Sequence, residues 1–496
     1  MGKYVHIQDS VKVSDIKAKD FTLSSSQYKN LVLPNSNYWY VRDFLSRPLK
    51  RSDLGTEVGS LSYIDQSPYR FIRTKALQEY SFLLNLNEET ALPIMPSDFI
   101  SKNLKEGDLL ISKDSNIGEI VILDKDYPNC MLSGAIYKLP VKEEWRYYLL
   151  AFIKHDIFRE QLDFMVPQGS TIRHAKTLFL DCKIPLPTNN DTNVVKFVSL
   201  LTKTIVKKES IIHSRYNNII EKITTELKEN QLDNGFQYKL PHLKELRGIN
   251  RLDAAMYTEY FKSEINKIKN YKNGYSDIEE MGFSLSRGQN LQVSNIGESI
   301  YTSDWHENFY KLVLPKYISK YGTINVDSYL GNRNKLKTLK AGDLIFGAEA
   351  SGRSFVVVEQ FENTITNIHG LTMQQKNHDL VKAIYIKCFL DYLLYRGLIE
   401  LISVGGNGGS LAEKYWSFIP FPNFPQKKRE EIALLYYNQK HYNSKDCKLD
   451  NFMDYDADFN STAGIYELDK SAKYLKKILN KTIDDIVNNR EVKIEF

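Results

Sequence analysis

Cysteine is scarce. The four residues in 496, Cys130, Cys182, Cys388 and Cys447, lie far apart, with no CxxC pair and no histidine beside them at ligand spacing. A disulfide framework is excluded and a zinc site disfavoured, so the four are expected to be small buried hydrophobes in a reducing compartment. Long apolar runs are missing as well, and nothing approaches the ~20 residues of a spanning helix. The opening MGKYVHIQDSVKVSD lacks an apolar stretch behind basic residues, so no targeting signal is expected, and the expectation is a cytoplasmic chain with no membrane partner. Neither sign of charge predominates: 66 Lys plus Arg stand against 61 Asp plus Glu, a net of +5. That balance permits contact with a polyanion without demanding it.

Enzyme signatures are missing too. The chain has no GxxxxGK[ST] phosphate loop, no strand-linked GxGxxG and no Asn-Pro-Pro-aromatic motif. Nucleotide hydrolysis, dinucleotide binding and methyl transfer to an amine are therefore not expected of it. Gly405-Gly406-Asn407-Gly408-Gly409-Ser410 resembles a phosphate cradle, yet it lacks the terminal lysine and fits a flexible contact loop better. Glu491-Val492-Lys493, after Asp484 and Asp485, has the acid-x-lysine form of a nuclease site, but short charged tripeptides at a terminus are common. His155, His174, His306 and His369 stand alone. No catalytic, cofactor-binding or metal-ligating residue is expected in this chain.

What is present is a globular mixture, 42% apolar and 26% charged, long enough for two to four domains. Aromatics reach 12%, with 32 tyrosines, which suits broad contact surfaces. The chain also repeats itself. Leu104-Lys105-Glu106-Gly107-Asp108-Leu109-Leu110-Ile111 aligns with Leu339-Lys340-Ala341-Gly342-Asp343-Leu344-Ile345-Phe346, 235 positions on. Val121 to Asp124 matches Val356 to Glu359, and Ile184-Pro185-Leu186-Pro187 matches Ile419-Pro420-Phe421-Pro422, in the same register.

Each copy has one grammar. A Gly-Asp turn feeds an apolar β-type run, a glycine-containing polar loop follows (Ser112 to Gly118; Gly347 to Gly352), and a second β-type run completes a hairpin. Apolar residues at three-to-four spacing then predict a helix over Trp145 to Leu162, and another over Lys382 to Ile402. Ile-Pro-hydrophobic-Pro closes each copy as a rigid extended exit. After the first exit, Val194, Val198, Leu201, Ile205, Ile212, Tyr216, Ile219, Ile223 and Leu227 recur in steps of three, four or seven. This pattern predicts a coiled-coil helix from about Asn193 to Asn230, on the order of 55 Å long, that needs a partner helix. Its counterpart is expected to begin at Arg429 to Asn438, break through a polar insertion from His441 to Gly464, and resume at Ser471. The fold class is therefore mixed α/β (α+β) domains in tandem, a pseudo-two-fold internal repeat separated by long antiparallel coiled-coil helices. The expected boundaries are 1–190, 191–232, 233–424 and 425–496.

LKEGDLLISKDSNIGEIVIL, VPQGSTIRHAKTLFLDCKIPLP, GINRLDAAMYTEY, LKAGDLIFGAEASGRSFVVV and SFIPFP, in that order and duplicated, resemble the DNA-specificity subunit of type I restriction-modification enzymes. The resemblance covers essentially the whole chain. It implies two target-recognition domains, up to about Thr188 and from Asp233 to Phe424, on a helical spacer. It also implies a subunit that is itself non-catalytic, binding double-stranded DNA and recruiting two methyltransferase subunits, with motor subunits in the restricting complex. S-adenosylmethionine would be held by those partners, leaving no cofactor in this chain. The two hairpin loops differ, the insertion interrupts the second helix, and the GSTIRHA loop shares only glycine and serine with GGNGGSLAEK.

Reading a bipartite sequence requires two readers at a fixed separation, and each needs Arg or Lys for guanine, Asn or Gln for adenine, and hydroxyls for phosphate. The first domain offers Arg70, Arg73, Lys75, Lys113, Ser115, Asn116, Ser170, Thr171 and Arg173. The second offers Arg287, Gln289, Asn290, Arg333, Asn334, Lys335, Ser351, Arg353 and Asn407. Gly107, Asp108, Gly342 and Asp343 are assigned to turn geometry instead. Two alternatives stay open at this point: a self-contained methyltransferase or nuclease with unrecognised motifs, and a coiled-coil protein-binding scaffold.

Overall fold

The computed structural model describes every residue except 1–3, 8–9, 19–20, 24–27, 167–175, 233–234, 350–351, 360–362 and 405–409. The chain forms two compact units, one of residues 1–211, 442–461 and 468–496, the other of 212–441 and 462–467.

In the first unit the hairpin strands Leu109–Ser112 and Ile120–Ile122 pair antiparallel, and Ile136–Leu139 adds to the other side of the first strand. All seven hairpin-strand residues are buried, because both faces of this sheet are covered. Leu109, Ile111, Ile120 and Ile122 enter a core with Leu149, Phe152 and Ile153, whereas Leu110 and Val121 enter a second core with Ile72, Leu84 and Leu132. Alternate side chains point to opposite faces of a strand. A continuous apolar run is therefore what this doubly covered position requires, at about 1.5–3 kcal/mol for each buried aliphatic side chain. A second sheet sets Arg70–Ile72 between Ala91–Pro93, antiparallel, and Cys130–Leu132, parallel. The Ile-Pro exit, Lys183–Pro185, pairs with Tyr38–Tyr40.

In the second unit Leu344–Gly347 lies between Ser354–Val356 and Gly370–Gln375, with Phe283–Arg287 beyond, all antiparallel. A second sheet runs Ser299–Thr302, Tyr329–Asn332, Tyr310–Leu312, Thr364–Ile365, and its last pair is parallel. The exit strand Phe421–Pro422 pairs with Tyr275–Ser276. Hairpin plus third strand, a sheet whose last pair is parallel, and a paired exit strand thus occur within each unit.

The helices depart from the sequence expectation in five places. The stretch Trp145 to Leu162 is two helices, Arg146–Lys154 and Asp156–Met165, parted by His155, which is extended and accepts a hydrogen bond from the Ile157 amide at 3.3 Å. One extended residue leaves both apolar faces on the same core, so the spacing does not betray it. The stretch Lys382 to Ile402 is also two helices, Leu380–Tyr395 and Leu398–Ile402, stopped at Gly397 with φ of +68°. The piece expected at Arg429 to Asn438 spans Gln426–Tyr436. The insertion from His441 to Gly464 contains a helix, Phe452–Thr462, and the final helix begins at Ile465 and ends at Val487, not from Ser471.

The long helix is Asp191–Glu229. All nine positions of its predicted apolar stripe are buried. Within the first unit, Val194, Val198, Leu201 and Ile205 share a core with Leu475, Leu479, Ile483 and Ile486. Thr188 bonds Asn489 and Glu209 pairs with Lys476, so these two helical segments run in opposite directions. Within the second unit, Lys222 faces Glu431 and Glu226 faces Lys428, again antiparallel. Among the described residues no helix is long and apolar enough to cross a membrane.

Candidate functional site

The Gly-Asp turns are structural. Asp108 Oδ2 accepts the Lys105 amide at 2.7 Å and Asp343 Oδ2 accepts that of Lys340 at 2.8 Å, while Gly107 and Gly342 take φ of +83° and +90°. Each turn launches a buried strand; in the loop past the far end of the first, Ser115 and Asn116 are exposed, and in the loop past the far end of the second, Glu349 is exposed.

In the first unit that loop comes against the segment after Arg70–Ile72, since Asn116 Nδ2 donates to the Leu77 carbonyl at 3.4 Å. Lys75, Ser115 and Asn116 are exposed. Lys75 has a carboxylate, Glu89, only at 4.0 Å, and Arg73 donates to the Glu89 carbonyl at 3.4 Å. Arg70 is half-buried in its strand. Lys113 is half-buried too and lies 2.5 Å from Asp114. Behind the loop sits a network with no signal in the sequence: Arg159 bridges Glu79 and Glu119, both at 2.6 Å, and Lys154 reaches Glu119 at 3.3 Å. Burial pulls the Lys154 ammonium down to about 8 against the opposing pull of Glu119. Ser170, Thr171 and Arg173 lie outside the described residues.

In the second unit the candidates divide. Arg353 turns inward, donating to the Ile318 carbonyl at 3.0 Å, and burial lowers its pKa. Gln289 is committed to the Lys337 carbonyl at 2.7 Å. The amide of Asn334 is pinned to the Ile296 carbonyl at 3.0 Å, and Asn332 to the same oxygen at 3.0 Å, which holds this stretch firm. Its neighbours Arg333 and Lys335 are exposed and make no hydrogen bond or ion pair with the described residues. Asn290 is exposed on the rim of an open cleft of about 590 Å³ that Tyr301, Asp327, Tyr329 and His369 also line. Arg287 reaches Glu349 at 3.7 Å, and Glu349 in turn meets His369 at 2.5 Å, so this histidine, isolated in the sequence, has a partner. Ser351 and Asn407 lie outside the described residues.

Among the described residues no group of three His, Cys, Asp or Glu side chains is placed to hold a metal ion. The cysteines are free, Cys447 half-buried and the others buried. Burial pushes the Cys388 thiol up to about 12 and raises Cys130 and Cys182 as well, which keeps them protonated and unreactive. Among the described residues, the exposed candidates Lys75, Ser115, Asn116, Asn290, Arg333 and Lys335 lie outside strands and α-helices.

No protein-family model and no curated protein matches the chain. Among solved structures it is similar to the S subunit of a type I restriction-modification system from M. genitalium, at 12% identity and a TM-score of 0.41, covering 90% of this chain and 95% of that one. It is similar to a chain from a structural study of complex assembly and conformational transition in the type I R-M system, at 13% identity and a TM-score of 0.27, covering 92% and 99%. A third is the HsdS subunit from Thermoanaerobacter tengcongensis, at 12% identity and a TM-score of 0.25, covering 89% and 96%. All three scores are low, so the chain's own residues have to carry the functional reading.

Proposed function

We propose that the chain is a DNA-specificity subunit of a type I restriction-modification or related methylation-based defence complex. Each unit reads one half of a bipartite target, and the helices recruit methyltransferase subunits that supply S-adenosylmethionine and the chemistry. One observation carries this: a shared three-strand arrangement in each of two sheets, with a Gly-Asp hairpin and a paired Ile-Pro exit, occurs in both units of one chain, and the second unit adds one strand to each sheet. Taken as a pseudo-two-fold repeat, two similar readers on one chain match a target with two separated halves. The sequence resemblance agrees, and the exposed Arg333 and Lys335, without an ion-pair partner among the described residues, supply the phosphate-contacting charge that such a reader needs.

The full chain is expected to enrich a motif with two defined halves and an unspecified gap from a pool of randomised duplexes. A purified chain that instead methylates or cuts DNA unaided favours the catalytic alternative, and absence of any duplex binding by the assembled complex favours the scaffold.

Salt dependence separates the candidates. Each phosphate neutralised by a cation contributes about −0.9 to the slope of log affinity against log salt. Arg333→Ala and Lys335→Ala are each expected to shallow that slope by about one unit on cognate and scrambled duplexes alike. Lys113→Ala is expected to weaken binding to both duplexes as well, because it leaves the Asp114 carboxylate without its counter-charge. Titration of duplex binding at several salt concentrations checks all three.

A further inference from the structure

We infer that Arg287 and Glu349 together select one G·C pair of the target, the arginine taking the guanine and the carboxylate taking the exocyclic amine of the cytosine. This deepens the DNA-reading function proposed above and rests on it.

Neighbouring strand ends bring the side chains together. Arg287 ends a strand opposite Leu371, and Gly347 pairs with Gly370, so Glu349, two residues past Gly347, and His369, one before Gly370, emerge at the same end of the sheet's strands as Arg287. Glu349 Oε1 is 3.7 Å from Arg287 Nη1, and its Oε2 is 2.5 Å from His369 Nδ1. The guanidinium's other contacts are long: the Ile368 carbonyl at 3.5 Å and the Ser410 hydroxyl at 3.4 Å. Side-chain exposure is 35% for Arg287, 42% for Glu349 and 55% for His369. A planar donor fork and a carboxylate acceptor therefore stand side by side at the surface, with only weak internal bonds for the fork to give up.

A G·C pair is the complement of that arrangement. In the major groove guanine presents two acceptors, O6 and N7, and the adjoining cytosine presents the N4 donor. Arginine is suited to the first and a carboxylate to the second. An acidic side chain on a face that meets phosphates is repulsive unless it accepts a hydrogen bond there. Glu349 then also works by exclusion, since a pair that turns an acceptor toward it, such as thymine O4, leaves two acceptors facing each other. Without DNA the carboxylate offsets the charge of Arg287 and limits indiscriminate attraction to polyanions. His369 acts as a positioning residue, holding one carboxylate oxygen and leaving the other toward the arginine.

The test compares the full wild-type chain with Glu349→Ala, Arg287→Ala and the isosteric Glu349→Gln, each selected on randomised duplexes and then titrated with cognate and scrambled DNA. All three variants are expected to loosen the motif at one and the same position, a G·C pair in the wild type, with the rest of the motif kept as proof of folding. Cognate affinity should fall about tenfold for each alanine variant. Binding to scrambled duplex should strengthen with Glu349→Ala and weaken with Arg287→Ala. A sharp wild-type motif that no variant loosens, or that the variants loosen at different positions or at an A·T pair, overturns the inference while leaving the function standing. A wild-type chain that enriches no motif overturns both.

Discussion

Lys208→Met is expected to destabilise the unit containing residues 1–211 by about 3–5 kcal/mol, read as a lower urea midpoint. Lys208 is 0% exposed and Asp456, on the helix Phe452–Thr462, is 3% exposed, with 2.7 Å between their charged atoms. The ammonium also donates to Asn460 Oδ1 at 2.7 Å and lies over the rings of Tyr442 and Phe459 at 4.5 and 4.7 Å. Asp456 accepts from the Tyr442 hydroxyl at 3.0 Å and from Asn460 Nδ2 at 2.6 Å. Removing the cation alone leaves a buried carboxylate without its counter-charge, which costs far more than the lost attraction. Lys208→Met combined with Asp456→Asn is therefore expected to recover most of the loss, because the neutral amide still accepts from Tyr442. A double variant no more stable than the single one would show that the charge is not the cause. The pH dependence gives a second readout. Burial holds the Lys208 pKa down to about 8, below the ~10.4 of an exposed lysine. Between those values the unfolded chain binds the proton and the folded one does not, so this residue's contribution to stability rises with pH across that window and is absent below it. The rise should be smaller in Lys208→Met than in the wild type by that single contribution.

Gly322→Ala is expected to cost the second unit about 3 kcal/mol or more, against about 1–2 kcal/mol for Gly282→Ala. Both glycines have φ in the left-handed region, +75° and +88°, so backbone strain is common to the two. Their surroundings differ. A Cβ on Gly282 meets nothing within 4 Å, whereas one on Gly322 falls inside the Lys387 side chain and 2.8 Å from the Ser354 carbonyl oxygen. Lys387 is buried, paired with Asp391 at 2.6 Å, bonded to the Tyr321 carbonyl at 2.7 Å and stacked over Tyr436 at 4.2 Å. Displacing it strands Asp391 in the core. Parallel urea titrations of the two variants isolate the contact, and equal losses would mean that backbone strain alone accounts for both.

The hairpins and the long helix were legible because each carries its signal in consecutive residues: Gly-Asp followed by a doubly buried apolar run, and nine stripe positions that are all buried. The helix Phe452–Thr462 was not, because its buried face is Phe452, Asp456, Phe459 and Asn460, half of it polar, and hydrophobic spacing cannot register a carboxylate whose partner is Lys208, some 250 residues away. The stop at Gly397 has a signal in the sequence, a glycine at the end of a periodic run, but the apolar residues that resume after it continue the same spacing. Arg287, Asn290, Arg333 and Lys335 could be named as candidates from residue type. Nothing local distinguished them from Arg353, whose inward turn depends on Ile318. Glu349 carries no such signal, because a carboxylate by itself repels a polyanion.

The first unit is assembled from three separate stretches of chain, 1–211, 442–461 and 468–496, whereas residues 212–441 make nearly all of the second. On the ribosome this inverts the order of synthesis. Phe152, Val198 and Leu201 emerge early, but Leu475, Leu479 and Ile483, which share their core, follow on the order of tens of seconds later at ordinary elongation rates. The half made first is thus completed last, and during that interval its apolar helix face lacks the late segments that cover it.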